Sequence, residues 1–441
     1  MFLDIFSFFN KIFIYLDRLD EYLWDFGVVF IIAFGFYMTL TSRFFQLRKF
    51  PKIVKTFFSY MKFDSEKSRG VHPLKAFFTS IGGAIGIGNV VGVCTAVQIG
   101  GPGAVFWVWI AGFLGMLLKY SEVYLGILYR VHNKEGGYDG GPMYFLQKAY
   151  KSRWVPVLVC FLLCIYGTEI FMFGVMTDSI SSNWSINKQI VMFVLLLLIL
   201  LAGSGGVRRV GSICSAIVPM FVVLFVVMSV WVLITNLSVI PLLFKEIFLS
   251  AFTGHAAVGG FAGSSIMLTI SQGIARGCYS GDIGVGYASI IHSESRVTQA
   301  ERQAALSIFG IFLDTFLICT LSLFLILITG VWKEPIDESL LVQVALERFF
   351  PYMKFFMPFF LFLLGYSSMI AFFCVGLKCA KYLSSKWGKL FYYFYAVFAL
   401  IFFSFFENRH ALTVMSLSGV LLLMINVYGM FCLRRDIRFK F

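Results

Sequence analysis

Thr79 to Gly92 reads TSIGGAIGIGNVVG, with glycine at positions 82, 83, 86, 88 and 92 in an otherwise hydrophobic run. Each glycine inside a helix costs about 1 kcal/mol relative to alanine, so this density brings a plain lipid-spanning helix nothing. Irregular backbone at membrane depth survives only where protein encloses it or where it lines a water-filled cavity. The run therefore predicts an unwound helix whose freed N–H and C=O groups hold an ion, a small zwitterion or both. Close helix packing through small residues is the alternative use of such glycines. Five in eleven residues are more than one contact face needs.

The rest of the chain is a membrane protein by composition. Of its 441 residues 59% are hydrophobic and 13% charged, and mean hydropathy is +0.86. Apolar stretches long enough to cross, at roughly 20 residues each, lie near 24–41, 74–97, 104–129, 155–178, 189–203, 213–236, 257–290, 304–330, 351–375, 389–406 and 411–433. The net charge of +13 is not a nucleic-acid footprint, because 27 of the 36 Lys and Arg fall in alternate connections. The positive-inside rule makes those connections cytoplasmic, with the N terminus outside and the C terminus inside.

Nine cysteines lie in or beside apolar segments without a paired metal pattern, and read as buried small hydrophobes. The start, MFLDIFSFFNKIFIYL, is apolar but broken by Asp4 and Lys11 and has no small-residue cleavage site, so it reads as a retained interfacial helix.

With the first span set aside, ten remain, and the sixth of these carries a second glycine cluster, Gly273 to Gly286. Glycine-interrupted segments at matching positions point to two inverted five-helix repeats with a site at the midplane. The division is then 1–73 (N-terminal segment, extra helix and basic loop), 74–236 (first repeat), 257–433 (second repeat) and a basic tail, 434–441.

Several blocks in order carry a family resemblance: Gly88 to Gly126 (GNVVGVCTAVQIGGPGAVFWVWIAGFLGMLLKYSEVYLG), Gly140 to Leu146, Gly205 to Gly211, Arg276-Gly277, Gly310 to Thr315 and Lys378 to Leu383. Between Pro73 and Lys386 the chain resembles the alanine/glycine:cation symporters, the sodium:alanine symporter family. The resemblance implies an all-α integral membrane protein of about 11 transmembrane helices, with the leucine-transporter-type 5+5 inverted repeat plus one N-terminal helix. It implies sodium held by the carbonyls of Gly82, Ile85 and Leu364 and the hydroxyls of Ser367 and Ser368. Read from the residues alone, those two hydroxyls bond back to carbonyls one turn earlier. A small amino acid, alanine or glycine, is implied against Gly83, Gly86, Ile87, Gly88 and Asn89, its carboxylate at the N-terminal end of the second half-helix. Gly273, Gly277 and Ser280 would line the opposite wall.

The chain departs from the family pattern in three places. Ile87 stands where the family has Thr, Gly281-Asp282-Ile283 where it has Asn-Glu-Ala, and Met176 and Asp178 replace a Gln-x-Asn pair. The scaffold matches better than the pocket, which marks a divergent member.

Ionisable residues inside spans are functional candidates by default. Lys119 and Glu122, three apart on one helical face, are expected to pair. Asp314 either braces backbone or tunes the ion; Asp178 approaches the outer surface; Glu169 is the candidate for a proton-sensitive group; Arg276 is expected to pair with Asp282, the alternative being attraction of a substrate carboxylate. The five histidines are scattered and no acid/base or nucleophile constellation stands out, which argues against an enzyme. The expected partners are sodium, a small amino acid and the lipid bilayer of the cell's inner membrane, with no other cofactor and no nucleic acid. Proton-coupled transport of another small solute and a non-transporting sensor are the alternatives.

Overall fold

The computed structural model describes residues 2–62, 70–133, 136–253 and 266–441. It is nearly all helix, with one two-stranded ribbon, Val131–His132 against Tyr138–Asp139. Among the described residues seven helices are long and apolar enough to cross a membrane, and the pair Pro73–Ala84 and Gly88–Gly100, bent by 46°, makes an eighth. Lys188–Gly203 and Gly388–Phe403 are apolar but shorter, so length alone supports fewer crossings than the eleven expected. The seventh expected span, 257–290, begins outside the described residues.

Helix α1 runs unbroken over Phe2–Thr41. The interfacial helix and the first span expected separately are thus one element. The first broken segment follows as α2 (Pro73–Ala84) and α3 (Cys94–Gly100), then α4 (Ala104–Leu128). Next come α5 (Trp154–Tyr166) and α6 (Ile170–Trp184), joined through a kink at 167–169, then α7 (Lys188–Gly203) and α8 (Gly206–Thr235). A further helix, α9 (Ile240–Thr253), lies between the sixth and seventh expected spans. At 14 residues it is too short to cross. It packs on the start of α4 instead, where the Trp107 indole N–H donates to Ala251 O (3.1 Å).

The second broken segment is α10 (Ile266–Ser280) and α11 (Tyr287–Ser293), followed by α12 (Ala300–Thr329), α13 (Met353–Leu383), α14 (Gly388–Phe403) and α15 (Asn408–Cys432). Among the described long helices α13 is the most enclosed and α8 the least. Large apolar side chains exposed on α7, α8 and α14, such as Phe193, Val227 and Phe394, form the face that lipid covers. All nine cysteines are free thiols and only Cys432 is exposed, as expected of small core residues.

Candidate substrate and ion site

Both glycine clusters break their helices, at narrower places than their lengths suggest. In the first, α2 ends at Ala84 and Ile85 turns out of helical geometry (φ −78°, ψ 88°). The Gly86 N–H, which a continuous helix would give to Gly82 O, goes to Asn89 Oδ1 (2.9 Å). The chain resumes through a wide turn closed by Val93 N–H to Gly88 O (2.7 Å), an i to i+5 bond of the kind found at functional sites. In the second, α10 continues through Gly273 and Gly277 and unwinds only at 281–286, where Asp282, Gly284 and Gly286 all have positive φ. Both breaks are fully buried.

Four of the five expected sodium ligands come together. The Ser368 hydroxyl donates to Gly82 O (2.9 Å) and to Leu364 O (3.2 Å), and the Ser367 hydroxyl donates to Leu364 O (2.9 Å). The one-turn back-bonding read from the residues alone is therefore present, and Ser368 adds a bond across to the first break. Ile85, the fifth, is fully buried at the same break. Gly86 must be glycine here, since a Cβ on it would collide with Ser368 Oγ.

The positions expected to hold the amino acid divide. Gly83 lies against the second break: a Cβ there would overlap the Tyr287 hydroxyl, which donates to Thr79 O (2.8 Å). Gly88 has ordinary room, its nearest neighbour being Tyr279 at 3.6 Å. Asn89 is a brace. Its carboxamide accepts from Gly86 N–H and donates to Asp314 Oδ1 and to Cys319 Sγ (3.3 Å), and Cys319 Sγ reaches Ser280 Oγ (3.5 Å). Asn89, Asp314, Cys319 and Ser280 thus form one polar thread between the two breaks, in which Asp314 bonds side chains rather than backbone. Gly273 and Gly277 face α4, against Ala104 and Trp107 and against Val108 and Ala111 respectively. They allow close helix approach, so a side chain's worth of space there belongs to α4.

Two of the departures share a location. Ile87 and Met176 both fill the space over Gly365 of α13, and both are fully buried. Asp178 is partly exposed, paired with Lys188 (2.7 Å) and accepting from Asn408 (2.9 Å).

Two expected ion pairs are replaced by other partners. Lys119 donates to Gly281 O (2.7 Å) while Glu122 accepts from Ser289 N–H (3.1 Å), so both reach across to the second break. Arg276 does not pair with Asp282; its charge acts on Asp20, Glu338 and Tyr279, and its Nε and Nη1 are buried without a hydrogen-bond partner. Asp282 accepts instead from the Tyr166 hydroxyl (2.9 Å). The kink at 167–169 was not foreseen. Its one signal is Gly167, where a Cβ would crowd Phe372 O and the Tyr392 hydroxyl (2.9 Å each).

The family model described as the sodium:alanine symporter family matches residues 10–439. The chain belongs to that family. Among its relatives, an uncharacterized transporter of Haemophilus influenzae is 34% identical over 73% of this chain and 71% of its own length. The sodium/alanine symporter AgcS of Methanococcus maripaludis is 30% identical over 84% of both chains. In structure, a manganese transporter of Eremococcus coleocola superposes with a TM-score of 0.54 at 14% identity, covering 80% of this chain and 76% of that one. That likeness concerns the fold. A sodium:alanine symporter family member with two broken helices, enclosed by the other spans, is a multi-pass membrane transporter.

Proposed function

We propose that the chain is a secondary active transporter that moves a small amino acid, alanine or glycine, together with sodium by alternating access. The observation that carries this reading is the Ser368 hydroxyl bonded to Gly82 O at 2.9 Å, beside Leu364 O and Ser367 Oγ. Uncharged oxygens about 3 Å apart are spaced as neighbours in the shell of a hard cation. Sodium between them would replace hydroxyl donation as the link between α2 and α13. It would thereby hold the first break in one arrangement, which is how an ion raises the affinity for a second ligand. The amino-acid carboxylate would meet the backbone of Ile87 and Gly88, with Gly86 N–H already committed to Asn89.

In this reading 74–236 and 257–433 are the two inverted repeats that move against one another. The N terminus lies outside and the C terminus in the cytoplasm, in keeping with the charge distribution. Two curated relatives support the coupling and substrate class: AgcS, a sodium/alanine symporter, and GlnT of Bacillus subtilis, a probable sodium/glutamine symporter at 27% identity.

The test is uptake of radiolabelled alanine and glycine into proteoliposomes under an inward sodium gradient, with choline as the control. Sodium-dependent uptake in the wild type, weakened in Ser368→Ala through a higher sodium requirement, is the expected result. Equal uptake in choline and sodium would remove the coupling ion, and no uptake of either amino acid by folded protein would remove the substrate.

A further inference from the structure

The connection that follows α1 is basic without relief: residues 43–62 carry six Lys and Arg and no Asp or Glu. Its side chains sort by helical spacing into three sides. Phe45, Ile53 and Tyr60 are buried against the protein, and Phe50 and Phe57 set their rings beside Phe309 (6.3 and 5.1 Å), fastening the helix Phe50–Ser59 to α12. Phe44, Leu47, Phe58 and Met61 form an exposed apolar stripe. Arg48, Lys52, Lys55 and Lys62 form an exposed basic stripe beside it. An amphipathic element of this kind lies along a membrane surface, with its apolar stripe at the acyl boundary and its cations at the headgroups.

The C-terminal tail reaches the same place from the other end of the chain. Ile437 is buried, the Tyr120 hydroxyl donates to Arg438 O (2.5 Å), and the Tyr129 hydroxyl donates to Asp436 Oδ2 (2.7 Å). The Phe439 ring lies against Tyr120 (5.2 Å) and Phe45 (5.6 Å). Phe441 meets Phe45 (6.4 Å), and Lys52 Nζ stands over its ring (5.3 Å). Arg435, Arg438 and Lys440 stay exposed. Docking by aromatic rings therefore adds three cations to the four of the stripe. Among the described residues none of the seven is in an ion pair. Like charges gathered on one surface repel, and a counter-charge from outside the protein removes that cost.

We propose that residues 43–62 and the docked tail together bind the headgroups of anionic phospholipids, in the leaflet that α1 reaches at Thr41. Clusters of four to eight Lys and Arg beside a span or on an amphipathic helix have the charge for this. The exposed apolar stripe selects lipid over a soluble polyanion, which would leave Phe44, Leu47, Phe58 and Met61 in water. A headgroup phosphate shared between the basic stripe and the tail ties the connection leading into α2 to the end of α15.

The test is fluorescence anisotropy of acyl-labelled phosphatidylglycerol and phosphatidylcholine, titrated with the detergent-purified full-length protein. It is independent of which solute is carried. The wild type should bind phosphatidylglycerol at least about tenfold more tightly than phosphatidylcholine, as expected of several cations beside one anionic headgroup. Lys52→Gln/Lys55→Gln/Lys62→Gln should erase that preference. Phe439→Ala keeps every cation but undocks the tail, and should weaken phosphatidylglycerol binding by about threefold or more while sparing phosphatidylcholine. Equal affinity of the wild type for the two lipids, or an undiminished preference in the triple variant, would overturn the surface. Wild-type affinity in Phe439→Ala would overturn its assembly from two segments. Should a variant fail to fold, salt decides on the wild type: added salt must weaken phosphatidylglycerol binding selectively, and insensitivity to salt would overturn the proposal.

Discussion

Lys119 Nζ donates to the carbonyl of Gly281 at 2.7 Å, fixing the middle of α4 to the start of the second helix break. The same ammonium acts on Glu122, Asp282 and Asp314, three buried carboxyls with different chain positions. Removing one partner of a buried charge arrangement typically costs about 3–5 kcal/mol. Lys119→Met should therefore lower the thermal midpoint of the detergent-purified protein by several degrees. Lys119→Arg keeps the charge and should retain most of the stability. A melting curve for Lys119→Met that overlays the wild type would show that the ammonium is dispensable.

Gly86 and Gly88 are two residues apart and predict opposite behaviour. A Cβ at Gly86 meets Ser368 Oγ, whereas at Gly88 it meets nothing closer than 3.6 Å. Gly86→Ala should abolish sodium-dependent uptake, because Ser368 must leave Gly82 O to make room. Gly88→Ala should elute and melt like the wild type. Uptake assays with size-exclusion profiles for both variants check this, and an active Gly86→Ala would contradict the close approach.

Ser367 and Ser368 differ in the same way. Only Ser368 reaches the first break; Ser367 bonds within its own helix to Leu364 O. Ser368→Ala should raise the sodium concentration for half-maximal uptake by about tenfold or more, equivalent to roughly 1.4 kcal/mol of lost ligation. Ser367→Ala keeps the cross-link and should shift it less. Sodium titrations of uptake in both variants decide, and the reverse ranking would move the ion away from Gly82.

Near the C-terminal end of α13, Lys378 binds Asp139 (3.1 Å) and Glu294, just after α11. Arg130 holds the same stretch by donating to the carbonyls of Ser293 (3.0 Å), Ser295 (2.7 Å) and Val297 (3.0 Å). Lys378→Met should loosen it. Amide hydrogen exchange across 287–297 is expected to quicken by about tenfold while α4 is unchanged, since local opening free energies fall where only the local ties are cut. Unchanged exchange would mean that Arg130 alone closes this end.

How much of this was legible in the sequence depends on the range of the interaction. Spans and glycine breaks are local patterns, set by lipid and by backbone hydrogen bonding; each break falls inside its glycine cluster though it is narrower, and seven long spans with one bent pair have the length to cross. Partners are not local. Lys119 and Glu122 are three apart, which suggests a pair, but in three dimensions both face the second break 162 and 167 residues further on. Gly273 and Gly277 look like part of a break because they precede one; only the position of α4 shows that they serve packing. The kink at Glu169 hides behind a single glycine, Gly167, whose close neighbours include the carbonyl of Phe372 on a distant helix.

The bond from Ser368 to Gly82 spans 286 residues of chain. At a synthesis rate of roughly 5–20 residues per second, about 15–60 s separate the two. In the folded protein the Gly82 carbonyl, whose usual amide goes to Asn89, has that hydroxyl as its partner, so the first break is completed only once α13 has been made.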